Sequence, residues 1–270
     1  MNGVVFYDGP SRIDGTPIIA IATWGTANPK TGNLVQTWIL RKDMDPISAI
    51  NTGADHGICG DCPLRGLIRP AEERTKKSTR MADTETVNKG RGCYVAVQNA
   101  PLAIYRSFHK GLYPELGTVT EVARRSMMGR GLRYGSYGDP VAVPLAAWDK
   151  LAKYCTGRAE PGYTHQWRNP RFKAWRTRIM ASTHSVSENE AAMRKGWRCF
   201  RTVKSVAEIS PLEIVCPASE DGGFKATCET CGACNGRRNM DDVRKSIAIV
   251  IHGGDAKIGG AVRAIEMASV

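Results

Sequence analysis

Residues 179–203 read IMASTHSVSENEAAMRKGWRCFRTV. An apolar run at Ile179–Ser182 is followed by a helical segment over Ser187–Lys195 and a second β-like run at Cys199–Val203. Ser187-Glu-Asn-Glu190 fits a capping box, in which hydroxyl and carboxylate each satisfy a backbone donor of the other residue and start the helix. Strand, helix, strand is the repeating unit of a parallel sheet, because parallel neighbours need a crossover connection.

The same alternation runs outward in both directions. Further strands are expected near Cys93–Val97, Leu132–Ser136, Tyr163–Gln166, Glu213–Cys216 and Ser246–His252. Helices are expected over Leu102–Leu112, Thr118–Met128, Pro144–Cys155 and Lys257–Met267. The fold class is therefore α/β, either an incomplete (βα) barrel or an open, mainly parallel sheet with helices outside, with cysteine-rich metal-binding loops. Ahead of it, Val4–Tyr7, Ile18–Thr23 and Leu34–Arg41 read as strands, the last two joined by a turn-rich loop, so residues 1–52 are expected to form an N-terminal β-hairpin extension. Asp45-Pro46 supplies an N-cap and a proline at the first helical position, which starts a short helix to about Asn51. Residues 53–270 make the barrel-like domain, interrupted near 65–91 by a charged, aperiodic insertion that contains Arg74-Thr-Lys-Lys-Ser-Thr-Arg80.

Nine cysteines are many for a chain whose first residues lack a secretion signal, and a reducing cytoplasm disfavours disulfides, so metal ligation is the better reading. Seven of them form two groups. Cys228, Cys231 and Cys234 make a Cys-x2-Cys-x2-Cys run, with Cys216-Pro217 twelve positions before its first member. Three close cysteines plus a remote Cys-Pro match ferredoxin-type [4Fe-4S] ligation better than the paired Cys-x2-Cys units of structural zinc, which is the alternative cofactor. Gly232 and Gly236 ease the backbone wrapping that such ligation needs. The other group is His56, Cys59, Cys62 and Cys93: either a one-histidine, three-cysteine zinc site, or a cluster with an open fourth position that a substrate or cofactor could occupy. The Cys-x3-Cys-x2-Cys signature of radical S-adenosylmethionine enzymes is absent. Cys155 and Cys199 read as small buried hydrophobes.

Cys59-x2-Cys62-Pro63, Gly92-Cys93-Tyr94, the Tyr137-Gly138-Asp139 element, and Cys216-Pro217 with Cys228-x2-Cys231-x2-Cys234 ahead of Ile249-Val-Ile-His252 together resemble an uncharacterised bacteriophage protein family, the gene-product-eighty-eight-like group, over roughly residues 50–255. The resemblance implies a phage-encoded, metal-bearing protein of the host cytoplasm and brings no established activity.

In a parallel α/β fold, chemistry gathers at the C-terminal strand ends. Asp139, His165, His184 and His252 all fall there and are the groups that proton transfer near neutral pH would use. A net charge of +12 makes nucleic acid the first partner to consider. The segment with Arg168, Arg171, Lys173, Arg176 and Arg178 interleaved with Trp167, Phe172 and Trp175 could neutralise phosphates and stack bases, or bury its aromatics as an amphipathic helix. No apolar run approaches the roughly 20 residues of a membrane span. Phosphate-binding and dinucleotide glycine loops are absent, as are the paired histidines of a rolling-circle initiator. The sequence thus points to an iron–sulfur enzyme acting on nucleic acid or nucleotides, with a non-enzymatic zinc- or cluster-stabilised nucleic-acid-binding protein as the alternative.

Overall fold

The computed structural model describes residues 2–25, 29–66, 91–239 and 241–268. The N-terminal apolar runs form β1 (Gly3–Pro10), β2 (Pro17–Thr23) and β3 (Val35–Arg41), paired antiparallel in that order. Neither face of β2 meets solvent, since Ile18 to Ala22 are all completely buried, which explains its unbroken run of apolar residues. Next to β3 lies β4 (Leu132–Tyr137), parallel to it, with Val35 opposite Leu132 and Trp38 opposite Tyr137. The expected N-terminal extension is thus hydrogen-bonded into the rest of the fold.

The remaining strands are β5 (Tyr163–Thr164), β6 (Met180–Thr183), β7 (Cys199–Val203), β8 (Glu213–Val215) and β9 (Ser246–Val250). They form a five-stranded sheet in the order β5-β6-β7-β9-β8, and every neighbouring pair is parallel. A single parallel bridge, Tyr134 to Gly162, links β4 to the residue before β5. The protein is therefore a mixed α/β fold with a mainly parallel sheet and an antiparallel N-terminal hairpin.

The helices are α1 (Pro46–Thr52), α2 (His56–Cys59), α3 (Ala100–His109), α4 (Glu121–Met127), α5 (Leu145–Ala152), α6 (Val186–Arg194), α7 (Cys228–Cys231) and α8 (Asp255–Met267). Asp45 caps α1 as expected, accepting from the amides of Ile47 and Ser48. The crossover helix α6 is capped two residues earlier than expected. Ser185, not Ser187, accepts from the Glu188 amide at 3.1 Å, and the Glu188 carboxylate takes the His184 amide at 2.7 Å. Cys93–Val97 is not a strand: the amides of Gly92 and Cys93 turn onto the Leu64 carbonyl at 3.1 and 3.0 Å, so no sheet pairs with the segment. Between β5 and β6 the chain forms 3-10 turns over Gln166–Arg168 and Pro170–Thr177 instead of an amphipathic α-helix, the second capped by Asn169 ahead of Pro170. The charged run Arg74–Arg80 lies outside the described residues.

Trp148 of α5 is completely buried and holds the halves together. Its ring sits 4.8 Å from Phe6 of β1, 4.8 Å from Tyr134 of β4 and 6.1 Å from Trp175, while its indole N–H donates to the Pro140 carbonyl at 3.0 Å. The indole thus buries large area without an unpaired donor. A smaller apolar cluster of Met180, Cys216, Ala218, Ile247 and Ile249 underlies the second cysteine group.

Candidate functional site

The C-terminal ends of β4, β5, β7 and β9 open onto one cavity of about 360 Å³. All seven grouped cysteines line it: Cys59, Cys62 and Cys93, and Cys216, Cys228, Cys231 and Cys234. The groups lie at least 123 residues apart in sequence, Cys93 to Cys216, so only the parallel topology brings them to one space.

The first group hangs from the loop after β3. Cys59 ends α2, the amide of Asp139 donates to the Ile58 carbonyl at 2.6 Å, and that contact fastens α2 to the end of β4. The turn after β4 needs Gly138, whose φ is +84° and where an added Cβ would lie only 2.7 Å from the Ile39 Cβ. Cys62 is followed by proline, and the next amide, Leu64, favours the Cys62 thiolate. Below the group, buried Asp55 is held by Arg65 at 2.6 Å and Arg91 at 3.4 Å.

The second group repeats the Cys-Pro device. After Cys216-Pro217 the Ser219 amide donates to the Cys216 carbonyl at 3.0 Å, and the amides of Ala218 and Ser219 favour the Cys216 thiolate. Cys228 and Cys231 bracket α7, capped by Thr227 and ended by Gly232 in the left-handed region at φ +58°. Two tethers fix the loop. The amides of Cys228 and Glu229 donate to the carbonyls of Lys30 and Thr31, in the loop between β2 and β3, at 2.9 and 3.2 Å. The buried Arg198 guanidinium donates to the carbonyls of Ala233, Asn235 and Lys245 at 2.8, 2.7 and 2.8 Å.

Burial and nearby cations act on the thiols in opposite directions. Burial is the main cause that raises the thiol pKa of Cys59, Cys62, Cys216 and Cys228, and it pushes Cys234 up to about 12. Neighbouring cysteines of the same group add to each rise, so the members of each group feel one another's charge. Cations work the other way: Arg91 favours the Cys59 and Cys62 thiolates, Arg133 and Lys30 that of Cys228, and Lys30 that of Cys216. Left without metal, such thiols stay protonated; a cation supplied by a bound centre would release the protons. Among the described residues, no three or more His, Cys, Asp or Glu side chains close around a single metal ion.

His56, expected as the fourth donor of the first group, is not at the cavity. Its ring faces Asp14 at 3.5 Å and Asp61 at 3.9 Å on the protein surface. The imidazole that does reach this group is His165, whose Nε2 is 4.0 Å from the Cys62 sulfur. His165 and His184 stack with ring planes 6° apart and Nε2 atoms 3.0 Å from each other, and His184 Nδ1 meets Thr202 Oγ1 at 2.6 Å. Burial holds His165 well below the usual histidine range and His184 at about 4, with Glu188 pulling His184 the other way. Both rings are neutral near pH 7, so one Nε2 donates to the other.

Asp139 is buried and its oxygens accept from Thr164 Oγ1 at 2.9 Å, the His165 amide at 3.0 Å and the Val141 amide at 3.2 Å. Burial raises its pKa to about 7, although all three hydrogen bonds favour the carboxylate. It ties the end of β4 to the end of β5 and sets the position of His165. His252 is exposed at the cavity rim, its Nδ1 3.0 Å from the Val250 carbonyl. Cys155 and Cys199 are buried in the core away from the cavity.

The basic segment adopts its packing alternative. Trp167, Phe172 and Trp175 are buried and offer no face for stacking a base. Arg168 is paired with Glu188, Arg178 with Asp149 at 2.6 Å, Arg171 donates to the Arg12 carbonyl and Arg176 to the Lys195 carbonyl; Lys173 is exposed. Comparison with protein-family models, curated proteins and solved structures finds no match to the chain.

Proposed function

We propose that the protein is an iron–sulfur enzyme that performs one-electron chemistry on a small, nucleotide-sized ligand held between two cysteine-bound centres. The observation that carries this reading is that both cysteine groups line one cavity at the strand ends, whose volume lies in the range of small-molecule sites. The Tyr134–Gly162 bridge between the two sheets supports reading them as one curved, incomplete barrel. Thiolates on one tetrahedral zinc stand about 3.8 Å apart, as follows from a 2.3 Å bond, whereas a cluster spreads its cysteines over separate irons. The spacing of the second group, three close cysteines and one remote Cys-Pro, favours the cluster. When bound, the clusters would supply electron transfer, and the three-cysteine group would leave one iron position toward the cavity.

This chain's own residues do the rest. Arg91 offsets negative charge at the first group, while Arg133 and Lys30 do so at the second. Asp139 sets the strand-end geometry that places His165 beside Cys62. Lys257 and the exposed Tyr94 stand at the cavity wall, a cation and an aromatic face suited to an anionic, planar ligand. With the interleaved aromatics buried, a nucleotide is favoured over a nucleic-acid strand as substrate. The resemblance to the phage family belongs to this reading as a proposal about origin.

The test is anaerobic reconstitution with iron and sulfide, then EPR of the reduced protein with and without nucleoside monophosphates. A nucleotide-dependent change in the spectrum of the wild type that is absent in Cys93→Ser is expected. Spectra indifferent to every nucleotide would remove the proposed ligand class.

A further inference from the structure

Tyr137 is the last residue of β4, lines the cavity, and is 2% exposed. Among the described residues its hydroxyl finds no hydrogen-bond partner. A buried phenol left unpaired is disfavoured, because it has given up its bond to water for nothing. It lines the same cavity as Cys59, Cys62 and Cys93, and the groups whose charge it feels include Cys59, Arg91 and Cys93. The second group offers a direct contrast. There the half-buried Tyr163, at the start of β5, stands beside Cys234 and favours its thiolate. Tyr134, whose hydroxyl is also unpaired by strict geometry, lies beside Arg178 and does not line the cavity.

We infer that Tyr137 donates its hydroxyl hydrogen to a sulfur of the centre held by Cys59, Cys62 and Cys93, and thereby raises that centre's reduction potential. A hydrogen bond to a cluster sulfur favours the more negative, reduced state. Tyr137 is a positioning and tuning residue here, not a catalytic one. The inference rests on the iron–sulfur reading above.

Tyr137→Phe removes one oxygen atom and keeps the ring, so the variant folds. In the metal-free protein the substitution deletes an unsatisfied buried group and raises Tm by about 2–4 °C. In the reconstituted protein that gain disappears, and the potential of the first centre shifts to more negative values at unchanged iron content. Tyr163→Phe serves as control and moves the other centre's signal instead. An equal rise of Tm with and without metal, together with an unmoved potential, would overturn the role of Tyr137 alone. Iron quantified on the same wild-type sample separates the failures: a chain that takes up no iron overturns the underlying reading and this inference with it.

Discussion

The two cysteine groups share a cavity but are held to different degrees. The second has four thiols, a capped helical turn, three carbonyls gripped by Arg198, and two amides docked on the loop between β2 and β3. The first has three thiols, a four-residue helix without a side-chain cap, and an imidazole 4.0 Å from Cys62. A closed, tightly tethered set uses all its donors on the metal and serves fold and electron storage. A three-thiol set facing a cavity leaves a place for a ligand. The difference teaches that two groups alike in residue type can be anchored unequally, and on the proposed function the unequal anchoring divides structure from chemistry.

The largest effect expected from this contrast is at Cys228. Cys228→Ser loses the iron of the second centre and drops cooperative unfolding to a much lower temperature, because ligation free energy is folding free energy, whereas Cys93→Ser loses the first centre and keeps most of the stability. Calorimetry with metal analysis of both variants checks this, and equal losses would break the contrast. Next comes the core common to both groups: Trp148→Ala costs about 3–5 kcal/mol in chemical denaturation and weakens iron retention at both centres alike. Arg198→Ala costs about 1–3 kcal/mol by leaving buried carbonyls unpaired, and its iron loss is confined to the second centre, as site-resolved EPR would show.

A further effect is read as a slope against pH. The carboxyl of Asp139 titrates at about 7 when folded against an ordinary value of 3.8, mainly through burial. Between these values the folded state binds the extra proton, so this group's contribution to stability is full at the acid end and is lost as pH rises through 7. The slope is at most about 1.4 kcal/mol per pH unit. Asp139→Asn therefore flattens the fall in Tm between pH 4 and 7 in the metal-free protein; an unchanged profile would move the titration elsewhere.

Much of this architecture is legible in the sequence because it is local. The β6-α6-β7 unit announces itself by an apolar run, a cap and a second apolar run, and the Cys-x2-Cys-x2-Cys spacing marks the second group. The differences arise where a specific hydrogen-bond partner, not the residue pattern, decides. Ser185 and Ser187 each have a glutamate three residues on, and the choice falls to Ser185 because Glu188 also receives the His184 amide. Cys93–Val97 carries strand-like residues, yet Gly92 and Cys93 bond the Leu64 carbonyl. His56 has suitable spacing for a ligand, but Asp14, 42 residues earlier, draws its ring to the surface. Tyr137, Tyr163, Arg91 and Arg133 carry no spacing signal, since a tyrosine in an apolar strand reads as core; only their places beside cysteine groups single out the first two.

The central claim is that these cysteines hold iron–sulfur centres. Anaerobic purification followed by iron, sulfide and zinc quantitation on one sample, with visible absorption and EPR before and after reduction, tests it most directly. The account predicts about four iron and four sulfide per centre, a brown protein and a paramagnetic reduced state. Zinc alone in a colourless protein that unfolds under chelation would contradict it.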